Sequence, residues 1–107
     1  MKKKQQEITE VVFRKFKDGA IIALFPYVIE NFDYSVMSYM HLGQHGGASY
    51  QRLILDTKPA TEAEYNDLKR ELENLSPEPY RLRVIKKYSH NKFLDAYREF
   101  YKKYKTS

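Results

Sequence analysis

The apolar residues of this chain switch between strand-like and helical spacing, and the switches mark its elements. Val11, Val12, Phe13 and Phe16 form a first run of β-formers, Lys17-Asp18-Gly19 has turn chemistry, and Ala20 to Phe25 is a second, wholly apolar run. Two such runs about a glycine predict a β-hairpin. The second run lacks the alternation of a half-solvated strand, which predicts a central strand covered on both faces and ended by Pro26. Residues 26–34 read as a loop whose large side chains pack. Ser35 to Leu42 alternates as a strand, with Val36, Ser38, Met40 and Leu42 on one face and Met37, Tyr39 and His41 on the other. Gly43-Gln44-His45-Gly46-Gly47 predicts a turn or a close backbone approach. Residues 49–55 fit a strand or a short helix, and the strand is favoured because Asp56-Thr57-Lys58-Pro59 ends the run at once.

The clearest helix start follows. Thr61 with Glu64 makes a capping box, and Tyr65, Leu68, Leu72 and Leu75 fall within about 80° of one another at helical spacing. Ser76-Pro77-Glu78-Pro79 ends that helix. Residues 80–88 predict a strand with Arg81, Arg83, Ile85 and Lys87 on one face. Residues 89–91 cap a last helix over 90–104, whose Phe93, Leu94, Tyr97, Phe100, Tyr101 and Tyr104 span about 120°. The order β-β-β-β-α-β-α predicts an α+β sandwich, an antiparallel-dominated sheet of four to five strands with both helices packed on one face. The strand–helix–strand piece over 49–88 suits a right-handed crossover that makes two strands parallel. Residues 1–8 read as a flexible basic arm and 9–105 as a single domain.

Composition narrows the function classes. At 107 residues the chain holds one core, which excludes multidomain enzymes. It has no cysteine, so disulfides, thiolate metal sites and thiol nucleophiles are excluded; with no signal-peptide pattern and no apolar run long enough to span a bilayer, a cytoplasmic setting without membrane contact is expected. Net charge is +5, but its distribution is uneven. Residues 1–17 carry six Lys/Arg against two acids, residues 18–79 four against ten, and residues 80–107 nine against two, or +4, −6 and +7. Such asymmetry suits either an acidic partner at the ends or self-complementarity, with the basic ends packed near the acidic middle.

Several constellations could carry chemistry. Arg81, Arg83, Lys87, Lys102 and Lys103 are the candidate nucleic-acid contacts, because clustered cations displace the counterions of a phosphate backbone. The aromatics of helix 90–104 read instead as its buried stripe. His41 and His45 bracket the glycine-rich loop as a candidate polar site; with His90, Asp33 or Asp56 they could approach a metal, although the glycines forbid the helix that would align them. The glycines lack the Gly-Lys-Ser/Thr ending of a phosphate loop. Metal-independent RNA cleavage would need His41, Tyr39, Arg81 and Arg83 on one face. Ten tyrosines and helices of opposite charge suit a protein contact, with a host protein or a second copy. The leading expectation is a non-enzymatic, nucleic-acid-binding domain with no cofactor, no metal and no assigned catalytic residue; a protein-interaction module and a ribonuclease are the alternatives.

Four pieces taken together carry a resemblance: residues 12–19 leading into Ile22-Ala23-Leu24-Phe25-Pro26, residues 38–46, Thr57-Lys58-Pro59-Ala60-Thr61 with Glu64-Tyr65, and Tyr80-Arg81-Leu82-Arg83-Val84. In this order they resemble a family of small uncharacterised proteins of bacterial and phage or mobile-element genomes, over about residues 11–87. The resemblance implies no activity, cofactor or catalytic residue. It implies a mobile-element setting, where handling of nucleic acid or of a host protein is expected. The basic helix after residue 89 lies outside it.

Overall fold

A computed structural model describes residues 8–40, 44–76 and 79–104, with residues 44–46 described by backbone alone. Strands β1 (Ile8–Lys15) and β2 (Ile21–Ile29) form the expected hairpin. Its turn closes through Gly19 N–H to Phe16 O and Phe16 N–H to Ala20 O, both at 2.9 Å. Gly19 sits at φ +94°, a conformation that glycine enters without a Cβ penalty. Strands β3 (Ser35–Met40) and β4 (Gln44–Ser49) continue the antiparallel meander outward from β2.

The other edge of β1 is shared. The carbonyls of Val11 and Phe13 point the same way and accept from Ile85 N–H (2.9 Å) and Ala60 N–H (3.1 Å). The two-residue strand β5 (Lys58–Pro59) therefore pairs antiparallel with the end of β1, and β6 (Arg81–Val84) pairs parallel with its start. Helix α1 (Tyr50–Asp56) joins β4 to β5, α2 (Glu62–Glu73) joins β5 to β6, and α3 (His90–Tyr104) closes the described chain.

Alternation along β1, β2 and β3 sorts the apolar side chains into two cores. Val11, Phe13, Ala23, Phe25 and Tyr39 face α2, where Leu68 and Leu72 bury against them and Phe13 stacks on Tyr65 at 4.3 Å. Val12, Ile22, Leu24 and Val36 face the other way, covered by Tyr50 of α1 and Phe93 of α3. The α+β class holds, and β2 is covered on both faces as its unbroken apolar run requires. The placement of both helices on one face does not hold. Because β1 and β2 are apolar on both sides, each face needs a lid, and α2 and α3 cover opposite ones.

Several local expectations change for physical reasons. Strand β2 runs through Pro26 to Ile29: pairing with β3 jumps from Phe25↔Met37 to Ile29↔Val36, and the proline sits in the resulting bulge, where its missing N–H costs no ladder bond. The glycine-rich segment is paired backbone from Gln44 onward, and Gly47 lies so close to β3 that an added Cβ would meet Ser35 Oγ at 3.2 Å. Residues 50–56 are helical, capped by Ser49, whose Oγ accepts from Arg52 N–H at 3.4 Å; Tyr50, Leu53 and Ile54 are a helical stripe rather than a strand run. With 49–55 not a strand, the parallel pair is β1 with β6, and β6 ends at Val84 as the chain bends toward α3. Of the expected arm, residues 1–7 lie outside the described residues, and Ile8 belongs to β1.

Buried Arg14 fixes α1 to the sheet. Its Nε donates to Thr57 Oγ1 (2.9 Å), and one terminal nitrogen donates to the carbonyls of Ile54 (3.0 Å) and Thr57 (2.7 Å). A cation thus meets the negative end of a short helix that has no basic residue in its own last turn. Burial lowers the pKa of the guanidinium from its ordinary value, and it stays charged.

Candidate nucleic-acid interface and aromatic cleft

Two features share the α1/α3 side of the sheet. The first is basic. Leu82 and Val84 turn into the α2-side core, so alternation sends Arg81 and Arg83 to the other side. Parallel pairing sets Arg83 beside Glu10, 3.7 Å between guanidinium and carboxylate. Lys92, in the first turn of α3, reaches the same carboxylate at 2.8 Å and lies 4.8 Å above the ring of Tyr27. The hydrogen bond to Glu10 raises the pKa of Lys92. Tyr27 in turn accepts Ser89 N–H at 2.7 Å, which holds the start of α3 over β2.

Lys103 lies eleven residues after Lys92, three helical turns and about 16 Å along the same flank of α3. With Lys102 it borders a shallow groove of about 590 Å³, floored by Tyr27 and Ile29 and flanked by Phe100 and Tyr104. Arg98 pairs with Asp95 at 2.6 Å. Among the described residues, Lys86, Lys87, Lys102 and Lys103 make no ion pair. The acidic residues of α2 occupy the opposite face and have their own partners there: Glu73 with Lys69 at 2.8 Å, Asp67 with Arg70 at 3.6 Å, Glu64 with Lys15, and Glu71 with the hydroxyl of Tyr39. The pairs made by Arg83, Lys92 and Arg98 do not reach α2. The acids of α2 and the lysines of α3 therefore lie on opposite faces of the sheet, the α3 face also carrying Glu10, Asp33, Asp95 and, in the groove itself, Glu99.

The second feature is a cleft of about 440 Å³ between the start of α3, the start of α1 and the loop before β3. Tyr50 and Tyr88 have ring centroids 4.3 Å apart, and the Tyr88 hydroxyl meets His90 Nδ1 at 2.9 Å and accepts from Gln51 Nε2 at 3.4 Å. Burial raises the Tyr50 pKa, so its hydroxyl is neutral across the ordinary pH range. On the opposite wall Tyr34 stacks on Tyr97 at 4.4 Å and tilts toward Phe93. Tyr34 has φ +70°, the left-handed region that side chains other than Gly, Asn and Asp seldom enter, and is 54% exposed. Asp33 beside it accepts from Ser35 N–H (3.0 Å) and Ser35 Oγ (2.7 Å), bonds that hold its carboxyl below the usual carboxylate range.

The histidine and ribonuclease readings divide differently. His41 lies outside the described residues, and for His45 only the backbone is described, paired with Tyr39. Tyr39 is fully buried on the α2 side while Arg81 and Arg83 stand on the other, so the fold does not gather the proposed cleavage set. Among the described residues, no group of three or more His, Asp or Glu is placed to hold a metal ion. No described helix is long and apolar enough to cross a membrane.

Comparison with models of protein families, with curated proteins and with solved structures finds no match. Function therefore rests on the geometry. Sequence reasoning found the basic residues and missed the cleft: Tyr34, Tyr50, Gln51, Tyr88 and Phe93 come from four separate segments, and His90 registered only as a cap or a distant metal ligand. The available signal was the tyrosine count together with a Tyr-Ser-His step at the entry to a helix.

Proposed function

We propose that the protein is a nucleic-acid-binding domain that takes single strands on its α1/α3 side. The observation that supports this reading is the placement of charge: Lys102 and Lys103, which make no ion pair among the described residues, border the groove over Tyr27 and Ile29, and Arg83 and Lys92 meet at Glu10, all across the sheet from the acidic helix α2. Single-strand binders combine such cations with exposed rings, and Tyr34, Tyr101 and Tyr104 are 46–58% exposed on this same side.

Anisotropy of a labelled oligonucleotide of about 10–15 nucleotides tests it, comparing wild type with the triple variant Lys87→Gln/Lys102→Gln/Lys103→Gln. Three lost phosphate contacts correspond to about 100-fold weaker binding at 0.1 M salt. Unchanged affinity, or none in the wild type at low salt, refutes the reading. A charge change on α2, such as Glu62→Gln, serves as the control and leaves binding unweakened.

A second reading has its own observation. Phe32 packs edge-on against Phe100 (5.1 Å) and Tyr101 (5.8 Å), and these rings with Tyr104 extend an aromatic surface along the outer half of α3. Such a surface suits a protein contact. Light scattering across a concentration range distinguishes self-association from a monomer that needs a different partner.

A further inference from the structure

We infer that the cleft between Tyr34 and the Tyr50–Tyr88–His90 cluster is a pocket for one nucleobase, extruded from a bound strand or presented by a free nucleotide. The inference rests on the nucleic-acid reading for its biological source, and on the shape and polarity of the cleft for its chemistry. About 440 Å³ is at the small end of ligand pockets, enough for a single heterocycle. Its walls are rings, which favour a planar, polarisable guest. Its polar groups are edge-reading ones. Gln51 is exposed, and its side-chain hydrogen bond to Tyr88, the one it makes among the described residues, leaves an amide N–H and the carbonyl oxygen to match the mixed donor and acceptor edge of a base.

Charge orients the guest. Asp33 at the rim disfavours a phosphate inside, whereas Lys87, exposed one residue before Tyr88, offers a cation outside. The base goes in and its phosphate stays out. Tyr34 adopts the left-handed conformation, and its half-exposed ring lines the cleft opposite Tyr50 and Tyr88.

Tyr34→Gly deletes the ring while relieving the positive φ, and an unchanged circular dichroism spectrum checks that the loss of its stacking on Tyr97 leaves the fold in place. Adenosine and uridine, which carry no phosphate, are titrated to millimolar concentration while the ring protons of Tyr34, Tyr50, Tyr88 and His90 are followed by NMR in the full chain. The proposal expects saturable shifts confined to those rings, and apparent affinity reduced about 5- to 100-fold in Tyr34→Gly and also reduced in Gln51→Ala. Absent shifts in the wild type, or shifts untouched by both variants, overturn it. Failure of the strand reading looks different: oligonucleotides then show no salt-dependent binding while nucleosides still occupy the cleft. A trinucleotide that binds more tightly than the matching mononucleotide identifies a strand as the source, and equal affinities identify the free nucleotide.

Discussion

Arg14→Met tests how the cleft is held in place. The guanidinium supplies three hydrogen bonds of 2.7–3.0 Å to Thr57 and Ile54 at the end of α1, the helix that carries Tyr50 and Gln51. Methionine fills a similar volume and donates nothing. The Thr57 hydroxyl keeps its bond to Leu53 O (2.5 Å), so the loss falls on the two carbonyls, each left with a desolvated lone pair. Net bonds to a charged donor contribute about 1.5–3 kcal/mol each, and partial solvent access at the end of the helix halves the return, leaving a cost of about 1.5–3 kcal/mol in all. For a domain of this size that is about 10–20 °C in melting temperature. Urea unfolding followed by circular dichroism measures the free energy, with an unchanged m-value showing that the transition itself is intact. Arg14→Lys recovers part of the loss, since an ammonium reaches one carbonyl at a time. A change below about 0.5 kcal/mol for Arg14→Met would show that α1 is held by the packing of Tyr50, Leu53 and Ile54 and that the arginine is incidental.

Other perturbations follow from the same geometry. Gly19→Ala places a Cβ at φ +94° in open space, so it costs about 1–2 kcal/mol through backbone conformation alone, readable as a lower urea midpoint. Leu72→Ala empties a fully buried site between α2 and the sheet and costs about 2–5 kcal/mol by the same measurement. The Lys15 ammonium, followed by the Thr61 N–H, holds the Glu64 carboxyl below its ordinary value. Its folded value being depressed, its contribution is present above the ordinary carboxylate range and is lost as pH falls through the folded value. Thermal melts from about pH 5 to 3 should therefore decline more shallowly in Glu64→Gln than in wild type.

What the sequence makes legible is what depends on neighbours along the chain. The hairpin about Gly19, the Thr61–Glu64 capping box and the full extent of helix 90–104 are local patterns, and all are present. Tyr50, Leu53 and Ile54 show where local reading stops: β-prone residues in a short apolar run fit either element, and Arg14, 40 residues away, helps to secure the helix. Pro26 is tolerated inside a strand only because a bulge frees it from the ladder, a fact set by the register with β3. The candidate basic residues were readable because charge is additive along a segment. The cleft was not, because its walls meet only when the loop before β3, α1 and the entry to α3 converge on one side of the sheet.

The placement of charge is tested most directly by the salt dependence of oligonucleotide affinity. With Lys86, Lys87, Lys102 and Lys103, which make no ion pair among the described residues, contacting phosphates, the logarithm of the association constant for a short single strand should fall with the logarithm of salt concentration at a slope of about −2 to −3. Neutralising Lys102 and Lys103 should flatten that slope by about 1.4. A slope near zero, or one that the double variant leaves unchanged, would contradict the account.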